Sequence, residues 1–450
     1  MNAKNVALTM ICAAFVVGCA NKPLVKVANV NTPTTGQEKT NPDAGDTENH
    51  ADEMLKEGRE TFRYETFGSE QFWGAQLGLH KTIAGQAKGG IGPGLTPRQA
   101  LNLGLKVDAD RLPAIVLEAV KGGSLNLDDP EMTLELLRAD SVVGVKGFFS
   151  NDKLVSVGIR CALCHSQVDD SIAKGIGERL DGWPNRDLDV GKIVLLAPNL
   201  EPLAQAVGAD VATARKVLTA WGPGKYDAQL NMDGKGFRPD GKSAATVIPA
   251  AFGLAGVNLG TYTGWGSITY WNAYVATNQM HGFGRFFDPR LGEPAQFKMA
   301  AKNELNNVRS DNDRTTSKLA ALHFYQLAIP APKAPKDSFN EVAAKRGEAV
   351  FKGKAKCASC HVPPLYTEPG WSMHTADEIG IDDFQASRSP DKKYYRTTPL
   401  RGLFARKTPG FYHDGRFPDL AAVITHYQGV LRFELSDSER ADLIEFLKSL

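Results

Sequence analysis

No stretch of this 450-residue chain is both apolar and long enough to span a bilayer, and neither sign of charge is in excess, with 52 Lys and Arg against 51 Asp and Glu. The first absence excludes a multi-span membrane protein, and the second removes any electrostatic argument for a nucleic-acid partner. Cysteine is scarce: six residues are too few to staple a chain of this length with disulfides. Low complexity is confined to one N-terminal segment, and no repeat recurs apart from one short motif described below. What remains is 42% hydrophobic and 23% charged, the make-up of a globular protein with two or three domains.

The N-terminus carries one positive charge, Lys4, followed by a run from Val6 to Val17 that is apolar except for Thr9. Such a run is too short for a membrane span and reads as the core of a signal peptide. It ends in Val16-Val17-Gly18-Cys19, which resembles a bacterial lipobox, so Cys19 is the candidate for lipidation and Cys12 leaves with the signal. A plain secretory signal cut near Ala20, or a retained anchor, is the competing reading. By resemblance to bacterial sorting rules, Ala20 after the cysteine favours an outer-membrane lipoprotein in the cell envelope, facing the periplasm or the surface. Acylation at more than one site gives stable anchoring where a single chain does not. From Asn21 to about Asn49, Asn, Thr, Pro, Lys, Asp and Gly predominate, as in a flexible tether.

The other four cysteines fall as Cys161-Ala162-Leu163-Cys164-His165 and Cys357-Ala358-Ser359-Cys360-His361. Both are C-x-x-C-H. Two thiols three residues apart reach the two vinyl groups of one haem, and the adjoining imidazole is delivered to the iron. One such motif arises by chance on the order of once in a thousand chains, so two together point to two covalently bound haem c groups. A redox disulfide or a zinc site would need no histidine beside the second cysteine. The metal ligands expected are therefore His165 and His361, and no free thiol is left over.

Helical patterns surround both motifs. One covers Ala51–Phe62, and another opens at Thr96-Pro97-Arg98-Gln99 with a capping box and a proline in the first turn. The segment Asp169–Ile329, rich in Gly, Pro and aromatics, reads as loops and short helices wrapped over a cofactor. Pro330-Ala331-Pro332-Lys333-Ala334-Pro335 is a short stiff linker. Beyond it a helix over Val342–Phe351 leads into the second motif, and Ser436-Asp437-Ser438-Glu439 caps a last helix with Leu443, Ile444, Leu447 and Leu450 on one face. The predicted fold is mainly α, with two cytochrome c-like haem domains and long loop-rich insertions in the first. Its boundaries are a lipoprotein signal at 1–18, a tether at 19–50, a first c-type haem domain at 51–329 and a second cytochrome c domain at 336–450.

Thr398-Pro399-Leu400-Arg401-Gly402-Leu403, Phe411-Tyr412-His413-Asp414-Gly415 and Leu420-Ala421-Ala422-Val423 resemble the C-terminal pattern of the di-haem cytochrome c peroxidase superfamily, which includes MauG-type enzymes and bacterial rubber oxygenases. In the peroxidases a methionine that ligates the electron-transfer haem follows this pattern. His426 falls on its position, 65 residues after His361, and is the expected ligand. MauG-type enzymes use a tyrosine, which makes Tyr427 the rival. The 196 positions between Cys161 and Cys357 bring the layout closest to the rubber oxygenases, in which a tryptophan lies between the haems and a phenylalanine sits over the oxygen-binding iron. Trp271 and Phe286 have the matching spacing, and core packing is the competing reading for each.

His281, Met280, Met232 and His80 are the candidate sixth ligands of the first haem, and Met373 and His374 compete with His426 at the second. His413 is expected to pack near the second haem. Asp233-Gly234-Lys235-Gly236 and Asp240-Gly241 are candidates for calcium, against a plain turn reading. The resemblance implies a haem-iron oxidoreductase whose first haem activates dioxygen or peroxide while the second transfers electrons to or from a partner protein. The alternatives are a cytochrome c peroxidase proper and a non-catalytic electron-transfer cytochrome. Tyr270–Phe287 contains no carboxylate to move a peroxide proton, and this tips the expectation towards dioxygen.

Overall fold

The computed structural model describes residues 42–406 and 408–450. The signal sequence, Cys19 and most of the expected tether lie outside them. Helix α1, Pro42–Tyr64, starts inside the segment expected as tether and runs two residues past the predicted Ala51–Phe62.

Short helices and turns make up most of the chain, and among the described residues the strands form six two-stranded pairs. The longest pair is the antiparallel hairpin of β1 (Val145–Ser150) and β2 (Lys153–Ile159). Its turn residues, Asn151 and Asp152, both have positive φ, as a tight hairpin turn of this hand requires. The hairpin feeds directly into the first cysteine motif. Arg160 fixes the junction, bonding both oxygens of Asp140 and the carbonyl of Tyr64 at the end of α1. Gly144, at φ +77°, lets the backbone pass so close that a Cβ there would lie 2.1 Å from the Leu163 nitrogen.

Helix α2, Ala162–His165, carries the first motif as a single helical turn. The segment that follows consists of short helices and loops and includes α3, Ile268–Tyr274, and α4, Leu319–Ala328. The proline segment after it has no regular structure but is no free spacer. Ile329 accepts a hydrogen bond from Gly253, and Ala331 and Pro332 pack where a Cβ on Gly253 or Gly402 would touch them.

Helices α5 (Glu341–Lys352), α6 (Leu420–Leu431) and α7 (Asp437–Ser449) enclose the second motif, which itself is a 3-10 turn, Cys357–Ser359. The Ser436–Glu439 capping box is formed, as is the one at Thr96–Gln99. The α5–α7 crossing is close because position 347 is glycine: a Cβ there would lie 2.0 Å from the Asp442 carbonyl. Phe351, Leu403, Ile424, Phe433, Leu443, Phe446 and Leu447 form one apolar cluster around this motif. The clusters behind the first motif are built from residues before Ile329 and Pro330.

Two adjoining cavities lined by the cysteine motifs

Each C-x-x-C-H motif opens onto its own cavity. Cys161, Cys164 and His165 line one of about 340 Å³, and Cys357, Cys360 and His361 line another of about 470 Å³. Both volumes lie in the ~300–1,000 Å³ range of cofactor and ligand sites. A wall of shared residues, Pro249, Ala250, Leu254, Tyr262 and Arg396, borders both cavities. This wall is tied to each side by its backbone, since Ile248 donates to the Gly224 carbonyl, Ala251 to Gly182 and Val247 to His413.

The side chains fit covalent haem better than any other use of these motifs. All four thiols are unpaired. Burial pushes Cys161 and Cys164 up to about 12 and Cys357 up to about 11, so these are protonated thiols and not the thiolates of a redox pair. His361 Nδ1 lies 3.1 Å from the Tyr366 carbonyl, which makes it the donor and leaves Nε2 with its lone pair for a metal. His165 Nδ1 is buried without a hydrogen-bond partner of normal geometry, and the Pro249 carbonyl is the backbone group acting on that ring. Burial lowers both imidazoles to about 4, the neutral form in which histidine binds iron. Cys360, Glu368 and His374 also converge within 4.8 Å. There Glu368 is already bound by His374 Nε2 at 2.6 Å and by the Thr397 hydroxyl at 2.5 Å.

Of the expected second ligands, Tyr427 lines the second cavity and His426 does not. His426 Nε2 faces the Ile379 carbonyl at 2.8 Å, and its ring packs on Phe417 and Tyr412. The reason is helical geometry: Leu420, Val423, Ile424, Tyr427 and Leu431 form the face of α6 that borders the cavity, and position 426 is turned off it. Burial raises the Tyr427 phenol, while Tyr412 beside it favours the charged form. His374 reaches the cavity wall with Nε2 committed to Glu368, and Met373 is not in the lining. His413 is buried in the lining, stacked on Tyr395, with Nε2 unpartnered.

Around the first cavity Trp271 is in the lining and Phe286 is not. Phe286 is buried against Tyr270 and Tyr274, so it is a core residue, because strand alternation turns it inward and leaves Phe287 exposed. Trp271 borders the first cavity alone, its indole donating to the Trp265 carbonyl. The aromatic that borders both cavities is Tyr262, which sequence reasoning missed. Met280 and His281 line the first cavity, whereas Met232 and His80 lie outside it. His281 stacks on Phe72 at 3.6 Å between ring centroids, and the Trp73 indole bonds the Met280 carbonyl. Burial lowers His281 to about 4.

The calcium candidates are occupied by other partners. Both oxygens of Asp233 bind the buried Arg388, which also meets Asp227, and Asp240 pairs with Arg238 and Lys242. Asp227 is itself in the first cavity's lining. Burial pushes it up to about 6 against the pull of Arg388.

No family model matches the chain. Methylamine utilization protein MauG of Methylorubrum extorquens is 33% identical over 153 residues, covering 29% of this chain and 43% of that protein. MauG of Methylophilus methylotrophus is 34% identical over 130 residues, covering 24% and 36%. These two similarities support the resemblance to the di-haem cytochrome c peroxidase and MauG superfamily. The chain's match spans less than half the length of these curated relatives. Among solved structures, a MauG-like protein associated with microbial copper homeostasis covers 48% of this chain at 18% identity and a TM-score of 0.31, and 76% of its own length is covered. The di-haem peroxidase BthA of Burkholderia thailandensis covers 51% at 16% identity and a TM-score of 0.30, with 78% of its length covered. Likenesses this slight carry no weight beyond their existence.

Proposed function

We propose that this protein is a two-haem oxidoreductase of the MauG and peroxidase kind. In this reading the haem held by Cys161, Cys164 and His165 meets a small oxidant, and the haem held by Cys357, Cys360, His361 and Tyr427 stores and passes electrons. The observation that carries it is the shared wall: two cavities, each opening from a C-x-x-C-H motif, meet at Tyr262 and Arg396.

A c-type haem supplies a redox-active iron that binds small oxidants and exchanges single electrons. The chain's own residues do the rest. The Tyr366 carbonyl orients His361 through Nδ1. Tyr427 presents a phenol oxygen to the same cavity, and Tyr412 beside it stabilises the phenolate. Tyr262 stands between the cavities and replaces Trp271 as the relay. Trp271, with Phe72 and Trp73, forms an apolar wall that excludes water from the first cavity.

The nature of the oxidant turns on proton handling. His281 is a neutral imidazole in the first cavity and can accept a proton from peroxide, and Asp227, paired with Arg388, lines the same cavity. His281 lies within the stretch that suggested dioxygen, which lacks only carboxylates, and Asp227 and Arg388 lie outside it; together they favour peroxide. The experiment mixes the protein with peroxide plus a reduced cytochrome donor and, separately, with oxygen plus an unsaturated hydrocarbon. Rapid donor oxidation without oxygen uptake is expected, and oxygen uptake with no donor oxidation would reverse the assignment.

An electron-transfer protein with both irons six-coordinate is the second reading, favoured by Met280 and His281 in the first lining. A high-spin ferric band decides against it. The lipid anchor at Cys19, the outer-membrane address and the two haem domains at 51–329 and 336–450 belong to the same proposal. Among the described residues no helix is long and apolar enough to cross a membrane. A Cys19→Ser variant should move from the membrane to the soluble fraction, and unchanged membrane association would reject the anchor.

A further inference from the structure

Six buried or half-buried arginines fall into two groups in this structure. Arg160, Arg179 and Arg388 each meet a carboxylate, at 2.8 Å from Asp140, Asp108 and Asp233 respectively. Arg186, Arg396 and Arg406 meet none among the described residues. Arg186 gives Nη1 to the Thr408 carbonyl at 2.9 Å and leaves Nε without a partner. Arg396 gives Nε to the Thr261 carbonyl at 2.5 Å and leaves Nη1 buried and unpartnered. Arg406 has only the Gly402 and Arg401 carbonyls.

All three line the second cavity, and Arg396 lines the first as well. Buried cations are costly without an opposite charge, and three on one wall repel each other. Burial, with the charges of Arg186 and Arg396, pushes Arg406 down to about 10, and burial does the same to Arg396. Among the described residues, none supplies the missing charge. Glu378, which lines the second cavity, is committed to the Thr375 cap, and Asp227 in the first is committed to Arg388. The arrangement is electrostatically incomplete until anions enter the cavities. A haem c brings two carboxylates of its own.

We propose that Arg186, Arg396 and Arg406 seat the haem propionates, with Arg396 shared between the two haems so that its single charge acts on both irons. This rests on the reading of both motifs as haem sites. A cation beside a haem opposes the more positive ferric state, so removing it lowers the midpoint potential.

The test is a spectroscopic redox titration of the haem-loaded protein, with haem per chain measured first. Arg396→Gln should lower both midpoint potentials, and Arg396→Lys, which keeps the charge, should restore them towards the starting values. Arg406→Gln and Arg186→Gln should lower the second haem's potential alone. These two variants carry the test if Arg396→Gln fails to load haem. Arg346→Gln, which removes an exposed cation paired with Asp442, should change neither potential. Potentials unmoved by the three buried substitutions in a fully loaded protein would overturn the inference. So would a shift of the unsubstituted protein's potentials on adding inorganic phosphate, which would assign the seats to a free anion. A chain with no covalent haem would instead reject the haem reading beneath it.

Discussion

His426 and Tyr427 are neighbours in the chain, yet one faces the Ile379 carbonyl and the other the second cavity. The ligand assignment therefore separates cleanly by substitution. Tyr427→Phe should alter the visible and EPR spectrum of one haem. His426→Ala should leave both spectra in place and cost about 1 kcal/mol of stability for the lost hydrogen bond. The opposite pattern would return the ligand role to His426. The face that decides the matter was partly legible: 420, 423, 424, 427 and 431 repeat at helical spacing, and 426 does not belong to that series. Position matching to a family motif overrode the periodicity. Arg186, Arg396 and Arg406 were not legible at all, because they are far apart in the chain and only tertiary structure brings them to one cavity without carboxylate partners. Tyr262 was missed for the same reason. The two C-x-x-C-H motifs were legible because their five residues are consecutive in the chain, and each lines a cavity.

At the level of elements, local chemistry that closes within one turn was readable from the sequence, and longer-range closure was not. The caps at Thr96 and Ser436 formed as their side chains dictate. Nothing local marks the closeness of α5 to α7, which depends on Gly347. Gly347→Ala should destabilise the protein by about 1–3 kcal/mol through the clash with the Asp442 carbonyl. Gly429→Ala, in α6 with open space around it, should stabilise by about 0.5–1 kcal/mol through helix propensity. Urea unfolding of the two variants checks the pair, and equal effects would contradict the packing described.

Asp382 links elements differently, accepting from Arg416 at 2.5 Å and Arg238 at 2.8 Å. Burial works to raise its pKa, but the two guanidinium groups prevail and hold the carboxyl well below the ordinary range. Its folded pKa is depressed, so its contribution is full above the unfolded value of about 3.9 and is lost as pH falls through the folded value. Asp382→Asn should therefore cost about 1 kcal/mol at pH 7, discounted for partial exposure, with the gap from the unsubstituted protein closing below about pH 3. Denaturation midpoints at both pH values test this, and a gap that widens on acidification would contradict it.

At the scale of the whole molecule, two adjoining cavities, each lined by a C-x-x-C-H motif that would hold a haem, differ in the residues around them. His361 and Tyr427 line the same cavity on one side, and His165 lines a cavity with a neutral imidazole and an apolar wall on the other. The proposed function assigns one iron to the oxidant and one to electron storage, with Tyr262 lining both cavities. The ferric EPR spectrum of the purified protein, integrated against chain concentration, tests it most directly. The account predicts one high-spin and one low-spin signal in equal amounts, together two irons per chain. A single haem signal, or two low-spin signals with no high-spin component, would contradict it.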